Sequence, residues 1–317
     1  MLTPELAGPL LAEILPDNGP IADVARFAEG AVTGAYRVSF THHEVSPVVV
    51  KVYAPESRGH AAKEARALKL LRDRGIFAVP RVLGFRKAVD VLDGGACAVL
   101  SLRRGRTLSS IAPRLTPEQE RDVWRQLGEI LRRIHDVPMG AYGYINGDIL
   151  EPLPDNAAHM ARRFGREFAA FRLAGGDPRL ADRLERHVAA RSAAFAACER
   201  PVLCHGDYHE ANLLVVKESD GRHRVSGVVD PENMHAGDPL MDIVRADAFS
   251  IGEDANKRAG LLEGYGVPGG QWPAAWRPRM HLYRIALDLE LYNRSAATGA
   301  VRQLPGLARE LTELAAG

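Results

Sequence analysis

An α+β architecture in two lobes is what the sequence predicts: a small lobe on a five-stranded antiparallel sheet with one helix, then a larger and mostly helical lobe. Three observations predict it. Short β-branched runs separated by glycine-containing turns fill most of the first hundred residues. From residue 116 onward, apolar residues recur at helical spacing over long segments. A single strand, loop and strand stretch at 201–230 interrupts the helical part. The boundary is placed between residues 102 and 103, giving lobes 1–102 and 103–317.

In chain order, residues 1–17 suit a short amphipathic helix and 21–27 a first strand. Gly30 and Gly34 lie in the turn before a second strand at 36–40. The run at 48–53 is a third strand that carries Lys51 among β-branched neighbours. Behind it, HAAKEARALKLLRDRG reads as a helix with Ala62, Ala65, Leu68 and Leu71 in phase, Glu64 in its early turns and Gly75 at its end. Strands at 81–86 and 96–102 follow, joined through the hairpin turn Asp93-Gly94-Gly95. Thr116-Pro117-Glu118-Gln119 opens the next helix with an N-cap, a proline at the first position and a capping-box glutamine. Val123, Leu127, Ile130 and Ile134 mark its core face, and His135 near its end is assigned a structural role. Residues 138–154 read as loop; helices are expected at 157–173, 179–198, 239–251, 254–264, 273–298 and 305–315.

With 317 residues, 46% of them hydrophobic, the chain has enough apolar side chain for a large core. A net charge of +1 supplies no basic footprint for nucleic acid, and no apolar run reaches the length of a membrane span. The N-terminus has acidic residues and lacks a basic leader region, so a cytoplasmic location is expected, with neither nucleic acid nor membrane as a partner. Cys97, Cys198 and Cys204 are odd in number and form no CxxC pair; reduced, buried thiols are expected.

The chemistry concentrates at 201–230. Val202 to Cys204 lead into His205-Gly206-Asp207; Asn212 stands five positions after Asp207, and a β-branched run ends in Asp230. That is the Asp-to-Asn spacing of a kinase catalytic loop. A nucleophilic hydroxyl needs a carboxylate to orient and deprotonate it, and Mg²⁺ on nucleotide phosphates needs hard oxygen ligands. Asp207 is therefore the expected base, with Asn212 and Asp230 the expected metal ligands. Lys51 matches the strand lysine that grips nucleotide phosphates, with Glu64 its expected partner in preference to Glu56 in the following loop.

His205-Gly206-Asp207, Asn212 and Asp230, with Gly237-Asp238-Pro239 and Asp242 after them, resemble the aminoglycoside phosphotransferase and choline kinase family of small-molecule kinases. The resemblance covers nearly the whole chain. It implies a bilobal protein-kinase-like fold, ATP or GTP as co-substrate, Mg²⁺, and a small hydroxylated acceptor. It also implies that Gly30 and Gly34 cover the phosphates, that backbone groups near Leu100 and Leu102 hold the purine edge, and that Asp238, Asp242 and His205 brace the catalytic loop. Tyr208, His209 and Glu210 share that loop without an assigned role.

The expected activity is phosphorylation of a hydroxyl on a small molecule, an antibiotic that is thereby inactivated. The alternatives are a metabolite kinase of the choline, homoserine or sugar type and a pseudokinase serving as an interaction module. A protein kinase is disfavoured, because Pro231-Glu232 follows Asp230 where Phe-Gly would stand, and Gly237-Asp238-Pro239 leaves no room for a long activation loop. From His205 onward there are 16 acidic and 12 basic residues, and four of the acids are those assigned above. Without an acidic surplus, unless Glu232, Asp288 and Glu290 converge, the acceptor is expected to carry few positive charges. The oligomeric state is left open.

Overall fold

The computed structural model describes residues 2–27, 34–146 and 148–316, apart from the side chain of Val91. A first helix, α1 (Pro4–Ile14), is capped by the Thr3 hydroxyl and has Pro4 at its start. Five strands follow, β1 (Ile21–Arg26), β2 (Gly34–Phe40), β3 (Val48–Tyr53), β4 (Val82–Val89) and β5 (Gly95–Ser101), in an antiparallel sheet of order β1-β2-β3-β5-β4. The second helix, α2 (Arg58–Asp73), lies between β3 and β4 in the chain.

Period-two alternation decides what each sheet face carries. Val48 and Val50 of β3, with Cys97 and Val99 of β5, pack with Ala7, Leu10 and Leu11 of α1. The alternate residues Val49 and Tyr53, with Ala96, Ala98 and Leu100, pack with Ala61, Ala67, Leu68 and Leu71 of α2. Lys51 lies in phase with this second set, so its side chain emerges among apolar residues against α2.

The stripe on α2 differs from the expected one. Ala61, Glu64, Ala67, Leu68 and Leu71 are buried, whereas Ala62 and Ala65 are half-buried. A pattern that counts only apolar residues shifts the stripe, because Glu64 is part of the buried face and is drawn there by Lys51.

The rest of the chain forms β6 (Arg106–Thr107), α3 (Leu108–Ile111), α4 (Pro117–His135), β7 (Tyr142–Asn146), β8 (Asp148–Leu153), α5 (Asn156–Leu173) and α6 (Pro178–Arg191). It continues with β9 (Val202–Cys204), β10 (Leu213–Lys217), β11 (His223–Val228), β12 (His235–Gly237), α7 (Leu240–Ala246), α8 (Ala255–Tyr265), α9 (Arg277–Ala297) and α10 (Leu304–Leu314). Helices dominate this part, as the sequence predicts. The capping box of α4 forms, with the Thr116 hydroxyl accepting from Gln119 N and Gln119 Oε1 accepting from Thr116 N at 3.1 Å.

Residues 138–154 are not the expected loop. They make the β7–β8 hairpin, and β7 joins a four-stranded sheet of order β8-β7-β12-β9. Glycine and proline mask the short strands in the sequence, and their partners β9 and β12 lie far along the chain. The second hairpin, β10–β11, forms as expected and pairs with β6. Helix α6 ends at Arg191 and continues as a 3-10 segment, Ser192–Ala197, short of the expected 198. Helix α9 begins at Arg277, four residues later than expected.

Helices α4 and α8 cross with their backbones in contact: a Cβ on Gly264 would lie 1.8 Å from Arg125 O. This close crossing sets Tyr265 beside His135 under the 205–212 loop. The three cysteines are free and buried. Among the described residues no helix is long and apolar enough to cross a membrane.

Candidate active site

Strand β9 delivers His205-Gly206-Asp207 into a loop fixed from below by Asp242 on the first turn of α7. The Asp242 carboxylate accepts from His205 N at 2.6 Å and Gly206 N at 2.7 Å, and His135 Nε2 lies 3.1 Å from it. His135 in turn meets Tyr265 Oη at 2.7 Å through Nδ1. Burial pushes the Asp242 carboxyl up, but the His135 hydrogen bond and the neighbouring imidazoles pull it down to about 2. Gly206 has φ +80°, and a Cβ there would meet Asn233 O at 2.1 Å, so only glycine fits this turn.

Asp207 projects from the braced loop. Asn212 Nδ2 donates to its Oδ2 at 2.9 Å, Arg245 Nη1 to its Oδ1 at 3.2 Å, and His209 Nε2 lies 3.3 Å away. Burial raises its pKa, but His209 and Arg245 outweigh burial and hold the carboxylate ionised. His205 is fully buried, its Nδ1 accepting from Asp207 N at 3.2 Å, which fits the expected organising role.

Asp230 comes in from the end of β11. Val229 N donates to Asn212 O at 2.9 Å, which lays the residue before Asp230 alongside Asn212. Asp230 itself adopts φ +64°, a left-handed conformation that a non-glycine residue holds only at a cost of about 1 kcal/mol or more. There its Oδ1 accepts from Lys51 Nζ at 3.0 Å. Lys51 also donates to both oxygens of Glu64, at 2.9 and 2.8 Å, and Glu64 accepts from the Tyr53 hydroxyl. Burial disfavours charge on Lys51, but Glu64 and Asp230 together hold it protonated. Glu56 is exposed in the short turn after β3.

Lys51, Glu64, Asp207, Asn212 and Asp230 are therefore brought together as one constellation. Gly34 begins β2, one residue before Ala35, the register partner of Lys51. Leu100 is buried on β5, and Leu102 lies just beyond the strand. Gly30 lies outside the described residues.

One expectation changes, for Asp238. Asp238 braces helices: its carboxylate takes Leu240 N at 2.9 Å, Tyr283 Oη at 2.7 Å and Arg279, tying α9 to the start of α7. Only its backbone oxygen reaches the strand before the loop, through Cys204 Sγ at 3.5 Å. Tyr208 and Glu210 are likewise scaffold, donating to Leu127 O and accepting from Lys257 respectively. Glu232, Asp288 and Glu290 form no acidic pocket. Asp288 pairs with Arg284 at 2.8 Å, Glu232 lies 3.5 Å from His60, and Glu290 is shared by Arg163 and Arg245.

Sequence reasoning missed Arg245 and Tyr53. Each had a local signal: Arg245 is three residues after Asp242 on one helix, and Tyr53 is two after Lys51 on one strand. A pocket of about 150 Å³ opens beside Asp207, with Gly206, Arg245, Glu290, Arg163, His235 and Tyr144 in its wall.

Buried imidazoles make an acid-stability prediction. Burial holds His235 down to about 4 and His159 to about 3, against an ordinary value of 6.5, and lowers His205 as well. Below pH 6.5 the unfolded chain takes up protons that the folded chain refuses. Stability is therefore expected to fall as pH drops from 6.5 towards 4, by roughly 3 kcal/mol for His235 alone. Urea midpoints across this range check it: His235→Gln should fall less steeply than wild type, and equal slopes would count against the assignment.

A braced loop presenting an ionised aspartate and an asparagine, opposite a strand lysine paired with a helix glutamate, defines a kinase-like small-molecule phosphotransferase. Residues 23–280 match the family model described as Phosphotransferase enzyme family, and the chain belongs to that family. Among solved structures, the fold is similar to a thermostable mutant of aminoglycoside phosphotransferase APH(4)-Ia, with TM-score 0.72 and 14% identity over 99% of this chain and 98% of that one. It is also similar to a protein assigned as a fructosamine-3-kinase from Thermobifida fusca YX-ER1, with TM-score 0.66 and 21% identity over 96% and 98% of the two chains.

Proposed function

We propose that this protein transfers the terminal phosphoryl group of ATP or GTP to a hydroxyl of a small molecule. An antibiotic inactivated by the modification is the acceptor class we favour. The observation that carries the reading is the convergence of Lys51–Glu64 with Asp207, Asn212 and Asp230 from both parts of the chain. Similarity in fold to APH(4)-Ia, a variant of which forms a ternary complex with ADP and hygromycin B, supports a nucleotide and a hydroxylated acceptor. In this reading residues 1–102 bind the nucleotide and 103–317 supply the catalytic loop and acceptor pocket, in a cytoplasmic enzyme.

Asp207 accepts a hydrogen bond from the acceptor hydroxyl and takes its proton as the new O–P bond forms and the bond to the β-phosphate oxygen breaks, releasing the nucleoside diphosphate. Lys51 holds the α and β phosphates, kept extended by Glu64. Gly34, at the start of β2, lies over the phosphates, and the backbone around Leu100 and Leu102 meets the base edge. Asn212 and Asp230 fit a hard divalent cation: the contacts of Asn212 run through Nδ2, to Asp207 O and Oδ2 and to His209 Nε2 at 3.4 Å, its amide oxygen has no hydrogen-bond partner among the described residues, and Asp230 keeps an oxygen beyond the one Lys51 uses. A Mg²⁺ ion held by Asn212 and Asp230 would neutralise phosphate charge.

A metabolite kinase is the second reading, favoured by the arginines in the pocket beside Asp207, which suit no polycationic antibiotic. The test is incubation with Mg²⁺, ATP or GTP and a panel of hydroxylated antibiotics and metabolites, watching by mass spectrometry for the gain of one phosphoryl group. Absence of nucleotide binding, together with no product, would leave the interaction-module reading in its place. Lys51→Ala should raise the nucleotide KM at least tenfold, roughly the loss of a charge-assisted contact. An unchanged nucleotide KM and kcat would remove Lys51 from the site.

A further inference from the structure

The pocket beside Asp207 holds charge that the roles above use only in part. Arg163 of α5 and Arg245 of α7 are each only 7% exposed. They meet on one carboxylate, Glu290 of α9, at 2.7 and 2.9 Å. Arg245 is further committed to Asp207. Arg163 is not: its buried Nε has no hydrogen-bond partner among the described residues, although the residue lines the pocket. His235 stands in the same wall. Its Nδ1 faces Asn233 O at 3.2 Å, which makes Nδ1 the protonated nitrogen, and its buried Nε2 is left as an unpartnered acceptor. A third wall residue, Tyr144, carries Lys63 at 5.8 Å and Arg166 at 5.1 Å over its ring.

The acids of the pocket are already engaged. Both oxygens of Glu290 are taken by arginines, and Asp242 is consumed by the loop and His135. Glu167 gives one oxygen to Asn293. An incoming ammonium group would meet one unengaged carboxylate oxygen and the two arginines of the wall, with Lys63 and Arg166 standing over the Tyr144 ring. An oxyanion would meet a buried guanidinium with a spare donor, the group best suited to planar or phosphate oxygens. After burial itself, Arg163 is among the charges that lower the pKa of both His159 and His235, while Asp242 acts the other way on His235.

We infer that the acceptor carries an oxyanion, a carboxylate or phosphate, which pairs with Arg163 while the reacting hydroxyl faces Asp207 and a second hydroxyl donates to His235 Nε2. Glu290 is the internal counter-ion that keeps the two arginines in place when the pocket is empty. This inference rests on the phosphotransferase reading and names the substrate class of the same pocket.

Four pyranoses of nearly one shape test it: glucuronate, glucose 6-phosphate, glucose and glucosamine, titrated calorimetrically into the full chain with Mg²⁺ and AMP-PNP. The nucleotide titration comes first, and its failure overturns the phosphotransferase reading itself. With the nucleotide bound, glucuronate or glucose 6-phosphate should bind at least about tenfold more tightly than glucose, with glucosamine weakest, as one charge-assisted contact predicts. Whichever anion wins identifies the oxyanion as carboxylate or phosphate. Arg163→Gln should abolish the preference and Arg163→Lys restore part of it, both without change in nucleotide affinity. Equal affinity for the anionic, neutral and cationic sugars in the wild-type chain, or an anion preference that survives Arg163→Gln, overturns the inference and leaves the kinase reading intact.

Discussion

Asp207→Asn is expected to lower kcat by two or more orders of magnitude, roughly the scale of general-base catalysis, with little change in nucleotide affinity. The substitution keeps the shape of the side chain but removes its charge and turns one acceptor oxygen into an NH2 donor, which costs the contact with either Asn212 or Arg245. The loop need not move, because its brace is Asp242 gripping His205 N and Gly206 N, and Asp207 takes no part in it. Where the lost contact is that of Arg245, the arginine keeps Glu290. Loss of turnover with unchanged folding stability therefore reports on proton transfer and acceptor orientation. The measurement is steady-state nucleoside diphosphate release with a productive acceptor, beside a thermal midpoint for each variant. Near-normal turnover in Asp207→Asn would sink the base assignment.

Removing Asp230 should be comparably damaging, for a different reason. Asp230→Ala withdraws a carboxylate oxygen from the proposed cation and one partner from Lys51, so kcat should fall by about two orders of magnitude or more and the Mg²⁺ needed for half-activity should rise. Lys51 itself stays paired with Glu64 at 2.8 and 2.9 Å, so the sheet and α2 should remain in place. Asn212→Ala should shift the Mg²⁺ requirement in the same direction. It also removes the amide that holds Asp207, so its kcat loss will include a positioning component that added metal does not rescue. An unchanged Mg²⁺ titration in both variants would refute the metal role.

Legibility in the sequence followed the range of the interactions. The third strand, the helix bearing Glu64 and the α4 capping box were readable because each is encoded within a few consecutive residues, by alternation, helical period or cap chemistry. Sheet β8-β7-β12-β9 was not, because its strands are short and find their partners across large gaps in the chain. The α2 stripe was displaced for a related reason. Burial of Glu64 depends on a lysine 13 residues earlier, which no apolar periodicity registers.

By itself the sequence determined the class of chemistry. Asp207, Asn212 and Asp230 lie within one strand, loop and hairpin, so a single local geometry sets them side by side, and alternation along β3 sends Lys51 to the face where Glu64 waits. Only the tertiary structure decided the electrostatics of the acceptor side. Arg163 and Glu290 are 127 residues apart, and Arg245 and Glu290 are 45 apart. A count of charges along the chain cannot tell a free carboxylate from one whose two oxygens are both held by arginine. That distinction arises only when α5, α7 and α9 pack together and exclude the water that would otherwise screen each charge separately.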